Sequence, residues 1–494
     1  MTIHSDWSRI LHDECSSAFT PTPPRGINPE VGIIDGHLQL MRLDPRMDTW
    51  ECFVRNQFLK PIQSLFQMGC PRVVLCFDNY GAVPTYKTMT QNARTNKFEI
   101  RKFGPEDELP PKVPDDPITY LMNRNFKLKL IQMLCGQIPL RVQLQQGQEF
   151  ILDYKRVVCY SYTPLSGLTS HRVPVPMSDM ASMGESDVKF CRYVTKYGNA
   201  LVHAIDGDYM AIALLYYAHH NVNSRNKIFI YRQLSMLHST SSTATGKRKR
   251  KEAQERMAMI MEDDDEMEED HPRESSSRRE GQSPASLMFF KPGMMKKDEK
   301  NQRPKCWVNM QMVYQMLSNK VLKGIPHNRM IDMTPQDAVF SAVVLMLCAG
   351  TDFSRSTPLL GPKRMWDALP MISEGLLKAV IQQPNHDEEI NEDKVMNEVI
   401  AKMYAMNYKK HIGGMYMSSL ESVLRGLQRS KLSEGTKQKL PSVERMRVTL
   451  RNVMWVIKYW KTENGQMETP EDGRYGFSRN SKGDLIFADM ITTS

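Results

Sequence analysis

The sequence predicts an α/β fold with a mostly parallel central sheet flanked by helices, and three observations predict it. Residues 31–35 (VGIID) and 72–78 (RVVLCFD) are apolar until a closing aspartate, as strands covered on both faces are. Between them, residues 48–69 set Trp50, Val54, Phe58, Ile62 and Leu65 on one helical face, with Pro61 as a point for a kink. Strand, helix and strand in that order form a βαβ unit. A third apolar run, LVHAI at 201–205, again leads into aspartates, Asp206 and Asp208. Sheets of this kind bind their ligands at the carboxyl ends of the strands. Asp35, Asp78, Asp206 and Asp208 all fall there.

A second acidic pair, Glu185 and Asp187, opens the short helical stretch before LVHAI. Two residues apart on an extended strand, Asp206 and Asp208 would point to the same side. Carboxylates aimed at one spot repel one another, so a cation is expected among them. A hard divalent ion such as Mg²⁺ takes oxygen ligands and keeps several waters. The competing reading makes each pair a helix start or a solvated strand end.

Bulk properties leave this chemistry open. The 494 residues suit about two or three domains, and 41% hydrophobic content supports a sizeable core. The net charge of +9 permits a polyanionic partner without requiring one. Nine cysteines without a CxxC pair or a Cys/His cluster at zinc spacing point to reduced thiols in an intracellular protein. The start, MTIHSDWSRILHDE, has no signal-peptide core. The longest apolar run, near 339–350, is too short to span a bilayer, so a soluble protein with no membrane partner is expected.

The remaining elements follow in order. Residues 84–101 predict a basic helix, in which Lys87 and Arg94 are seven apart and share a face. Residues 105–117 hold five prolines and must be a loop, and 118–136 return to a basic amphipathic helix. Residues 149–161 and 227–236 read as strands, while 162–183 carry no clear pattern. From 238 to 303 the chain is rich in Ser, Arg, Lys and Glu, which predicts a disordered insert. Its run KRKRK at 247–251 is a candidate nuclear-import signal. Helices are expected over 307–318, 334–348, 392–430 and 442–461, the last with Met446, Leu450, Val453, Ile457 and Trp460 on one face. A Gly-Pro-Lys-Arg turn at 361–364 opens a helix and offers backbone N–H groups and cations to a phosphate.

Taken in order, these motifs resemble the flap endonuclease/XPG-type family of structure-specific 5′ nucleases. Asp35 in VGIIDGH and Phe77-Asp78, with Pro84 after it, match the family's first two metal-site aspartates. Lys87 and Arg94 keep the separation found in the family's gateway helix. Glu185-Ser186-Asp187-Val188 is similar to its Glu-Ala-Glu/Asp-Ala motif, and Asp206-Gly207-Asp208 to its Asp-x-Asp pair. Cys348 to Phe353, with Asp352, is similar to Leu-Gly-x-Asp-Tyr, and Leu359 to Arg364 to the DNA-binding hairpin. The resemblance covers about 1–237 and 304–370. Thr2 and Leu359 stand where the family has glycine, prolines 105–117 replace part of the arch region 84–148, and no sliding-clamp motif is found. These departures point to a divergent member, with a viral one among the possibilities.

The resemblance implies a PIN-like nuclease core in two parts, 1–237 and 304–375, with a DNA-binding helical hairpin and a helical region of unknown role at 376–494. It implies Mg²⁺-dependent hydrolysis of phosphodiesters in branched or nicked DNA, by two ions about 4 Å apart, with Mn²⁺ as a substitute. Asp35, Asp78, Glu185 and Asp187 would hold one ion, and Asp206, Asp208 and Asp352 the other. Lys87 and Arg94 would act on the scissile phosphate, and Gly361, Lys363 and Arg364 on the duplex backbone. Two alternatives stay open: an RNA endonuclease similar to herpesvirus host-shutoff proteins, and a nucleic-acid-binding scaffold without catalysis.

Overall fold

A computed structural model describes residues 4–24, 26–79, 102–163, 171–181, 184–204, 207–220, 226–233, 305–323, 334–351, 354, 356–380, 392–412, 419–461, 475–479 and 485–487. The expected helix 84–101, the insert 238–303 and its basic run 247–251 lie outside these residues. The described residues belong to one compact unit, Met1–Gln233 with Lys305–Ser494.

Nine strands make one mixed sheet. They are β1 (Phe19–Thr20), β2 (Val31–Asp35), β3 (Arg72–Cys76), β4 (Glu149–Tyr154), β5 (Arg156–Thr163), β6 (His171–Ala181), β7 (Ala200–His203), β8 (Ile228–Gln233) and β9 (Lys305–Asn309), in the order β1-β9-β8-β7-β2-β3-β4-β5-β6. The five central strands, β8 to β4 across the sheet, are parallel, and antiparallel strands flank them on both sides. The chain leaves β2 for β3 and β4 on one side, then returns to β7 and β8 on the other. That reversal puts a topological switch point between β2 and β7, where a crevice forms beyond the strand ends.

Side-chain alternation sorts the two faces. Ile34, Val73, Leu75, Phe150, Leu152, Leu201 and Phe229 join one core with the helical run after β2 and with α5 (Arg124–Arg141). That run comprises α2 (Gly36–Leu40), α3 (Trp50–Val54), a π-helical turn Arg55–Leu59 and α4 (Lys60–Gln67). The irregularity falls just before Pro61, whose missing N–H disturbs the helical ladder. The other face packs against α6 (Ser186–Tyr197), α7 (Asp208–His219) and α8 (Met310–Lys323). Helices α9 (Pro335–Cys348), α10 (Pro362–Val380), α11 (Leu420–Arg429) and α12 (Val443–Lys461) continue that layer into a helical C-terminal region, beside α1 (His4–Glu14). No helix among the described residues is long and apolar enough to cross a membrane, and none of the nine cysteines forms a disulfide.

The structure divides one expected strand, supplies another where the sequence shows no pattern, and corrects two expectations. Residues 149–161 are two strands, β4 and β5, joined at Lys155, whose φ of 55° makes the tight turn. Residues 171–181, which show no clear pattern, form β6 against β5. The stretch 307–318 begins as strand β9, because Trp307 and Val308 pair with β8 before the helical pattern starts at Met310. Finally, the strand before the Asp-x-Asp pair stops at His203, and Asp208 is the first residue of α7. The same-side argument for a strand therefore does not apply to that pair.

Candidate functional site

Asp35 closes β2 and caps α2. Its Oδ1 accepts from the backbone N–H of His37 at 2.9 Å and of Leu38 at 3.2 Å. Gly36 makes this turn possible: a Cβ there would stand 2.7 Å from the Cys76 carbonyl oxygen and from the Phe77 ring. The ends of β2 and β3 are thereby held in close approach. Asp78 follows β3 by two residues and is 3% exposed.

Ser186 joins the two aspartates. Its hydroxyl donates to Asp35 Oδ1 at 3.1 Å, and its backbone N–H donates to Asp78 Oδ1 at 2.8 Å. Asn79 N–H donates to the Gly184 carbonyl at 2.5 Å, so the segment leading into α6 is docked across the ends of both strands. Glu185 takes the N-cap position of α6 with extended backbone, and Asp187 lies buried in its first turn. His37 Nδ1 is 3.5 Å from Asp78 Oδ2. From the third strand end, Tyr209 is packed against this group. Burial, followed by the charges of Asp35 and Asp187, pushes its phenol well above the usual value.

The N-termini of α2 and α6 thus meet, through Ser186, at the ends of β2 and β3. Their positive ends offset part of the repulsion among buried carboxylates. Asp208 borders a small cavity with Trp7, Met346 and Thr351. The Thr351 N–H donates to the Ser354 carbonyl at 3.0 Å, just beyond the end of α9. Gly350, with φ at +96°, lets the chain leave α9, since a Cβ there would lie 2.7 Å from Ser356 Cβ.

The expected residues divide as follows. Asp35 and Asp78 are joined by Ser186, which stands between Glu185 and Asp187 at the start of α6, and Asp208 opens the adjoining helix α7. Asp206, Asp352, Lys87 and Arg94 lie outside the described residues. Gly361, Lys363 and Arg364 sit exposed at the start of α10. Lys363 pairs with Asp367, while Arg364 donates to the Leu359 carbonyl and the Tyr408 hydroxyl, each at 2.7 Å. Leu359 itself holds φ at +61°, a left-handed conformation that ordinarily selects glycine.

Sequence reasoning passed over Ser186, His37 and Tyr209. Each is next to or two residues from a carboxylate, and adjacency was the only signal available. It also gave no hint that α12 reaches this site, where the Tyr459 hydroxyl would stand 3.0 Å from a Cβ on Gly184.

Among the described residues, no three His, Cys, Asp or Glu side chains are grouped so as to hold a metal ion by themselves. The donors at the strand ends are nonetheless carboxylate oxygens, the class that Mg²⁺ takes, and Mg²⁺ is ordinarily held by one or two carboxylates with waters completing its shell. Asp35 and Asp78, joined through Ser186, supply that chemistry. Comparison with models of known protein families and with curated proteins finds no match for the chain.

Proposed function

We propose that the chain is a Mg²⁺-dependent nuclease of PIN-like fold that hydrolyses phosphodiesters in DNA, at the carboxyl ends of β2, β3 and β7. The observation that carries this reading is the bridge of Ser186 between Asp35 and Asp78 at the switch point of the sheet. Asp35 and Asp78 would hold one ion with waters completing its shell, beside Glu185 and Asp187, and Asp208 with Asp206 and Asp352 would hold a second, as the resemblance implies. Bound there, the ions supply an activated water and support for the leaving oxygen. The protein's own groups do the rest. Ser186 and the helix N-termini hold Asp35 and Asp78 in orientation. The exposed N-terminus of α10 offers N–H groups and Lys363 to the backbone of a duplex, which gives register without sequence reading. Lys87 and Arg94 complete the proposal as cations for the scissile phosphate.

A second reading has its own observation. Asp35 and Asp78 accept hydrogen bonds from helix N-termini, which structural caps also do. Asparagine separates the two, because it caps a helix about as well as aspartate but carries no charge. The test is Mg²⁺-dependent digestion of labelled 5′-flap, nicked and blunt duplex DNA and single-stranded RNA. Wild type should cleave flap or nicked DNA. Asp35→Asn should keep its melting temperature and lose cleavage by about 10²-fold or more, the scale of losing one charge-stabilising group. Cleavage of RNA alone would move the substrate to the host-shutoff class. An Asp35→Asn enzyme as active as wild type would return Asp35 to a cap.

A further inference from the structure

The face of α6 turned to the sheet carries charge where packing alone would ask for apolar side chains. Lys189 and Asp153 are fully buried, Arg192 is 9% exposed and Tyr193 is buried. Lys189 Nζ donates to Asp153 Oδ1 at 2.9 Å and to the Phe77 carbonyl at 2.7 Å. Arg192 Nη2 and the Tyr193 hydroxyl both donate to Asp153 Oδ2, at 2.7 and 2.8 Å. The three donors stand at i, i+3 and i+4, on one side of the helix.

Such a network contributes little net stability, because desolvation of the ions offsets most of their attraction. Apolar residues of the same volume would pack α6 on the sheet equally well. What the ions add is direction. The Phe77 carbonyl that accepts from Lys189 lies one residue before Asp78, and Phe77 N–H donates to the Asp153 carbonyl at 3.0 Å. Lys189 itself lies two residues after Asp187 and four after Glu185 on α6. Its ammonium therefore spans the two halves of the carboxylate group at the root of each.

We propose that Lys189 is a positioning residue, pinning the end of β3 to α6 and so fixing the separation of Asp78 from Glu185 and Asp187. The proposal rests on reading those carboxylates as a divalent-ion site. It assigns Lys189 no contact with substrate.

The test uses the full chain with Mn²⁺ as the probe, read by the electron paramagnetic resonance signal of the free ion, without nucleic acid. Lys189→Met leaves the Arg192–Asp153 pair in place and removes the tether to Phe77. Lys189→Gln removes the charge and keeps an N–H donor for that carbonyl. Leu427→Ala in α11, a buried position away from this network, serves as a variant whose stability is lowered for other reasons. Lys189→Met should weaken Mn²⁺ binding about 10-fold, the low end of what outer partners of metal ligands give. Lys189→Gln should recover most of that loss, and Leu427→Ala should bind as wild type does. Mn²⁺ binding unchanged in both Lys189 variants would overturn the positioning role and leave the metal site standing. If Lys189→Met does not fold, a folded Lys189→Gln that binds 10-fold more weakly also overturns the tether, since its donor is retained. Absence of Mn²⁺ binding by wild type would overturn the metal reading and this proposal with it.

Discussion

Leu359 holds a backbone conformation that its side chain opposes. At φ +61° its Cβ crowds the following carbonyl, at a cost of roughly 1–2 kcal/mol that glycine does not bear. The carbonyl of this residue accepts from Arg364, and Tyr404 donates to the neighbouring Pro358 carbonyl at 2.5 Å, so the turn is over-determined from both sides. Truncation to alanine loses the half-buried leucine and keeps the strain, whereas glycine loses the leucine and relieves it. Leu359→Gly should therefore be more stable than Leu359→Ala by about 1 kcal/mol in urea unfolding. Equal stability of the two would show that the turn is not strained. The turn was legible in sequence as Gly-Pro-Lys-Arg. Its left-handed residue was not, because leucine gives no local signal for that conformation.

Among the elements, α6 shows most directly how charge fixes one helix on the sheet. Burial would raise the Asp153 carboxyl, but Lys189 and Arg192 outweigh it and hold the group below its ordinary value. A carboxyl lowered on folding contributes stability above its unfolded pKa of about 3.9 and loses it as pH falls through the folded value. Asp153→Asn leaves two buried cations without their acid and should cost about 3–5 kcal/mol near neutrality. The difference from wild type should hold between pH 7 and 5 and shrink below about pH 4, where Asp153 of the unfolded chain begins to take up its proton while the native group stays ionised. Urea unfolding across that range checks it, and a difference independent of pH down to 2 would show that the Asp153 carboxyl is not lowered on folding. In the sequence Lys189, Arg192 and Tyr193 lie in the short helical stretch after Glu185 and Asp153 in the strand-like run 149–161, with nothing to link them. Their burial depends on β4 lying beside β3, a long-range pairing that no local pattern announces.

For the molecule as a whole, residues 234–304 stand between two strands that are partners. Gln233 and Lys305 face each other in the antiparallel register of β8 and β9. A short turn can therefore close the chain where the insert now runs. Each doubling of a loop's length costs about 0.6 kcal/mol, so replacing 234–304 by a four-residue glycine-serine turn should stabilise the unit by about 2 kcal/mol. Circular dichroism and urea unfolding are the measurements, and loss of cooperative unfolding would show that 234–304 is part of the folding unit. If the nuclease reading holds, this shortened chain should also keep its cleavage. The other end of the chain behaves differently. Helix α12 buries Val448, Trp455, Val456 and Tyr459 as well as the stripe expected from its periodicity, and it packs on α7 and α9.

The sequence alone carries the parallel βαβ core, the strands ending at Asp35 and before Asp78, and the helices 334–348 and 442–461. Continuous apolar runs and the 3.6-residue period are local signals, and burial in a sheet imposes them directly. It also determined that acidic residues gather where parallel strands end. Long-range packing makes Ser186 the residue joining Asp35 to Asp78, starts a helix at Asp208, and fastens α6 through Lys189 and Asp153. It also decided that β5, β6 and β9 extend the sheet beyond its parallel centre, and that α12 reaches the turn at Gly184. Each of these depends on a partner far away in sequence. A hydrogen bond across 151 positions, such as that from Ser186 to Asp35, leaves no periodicity behind it.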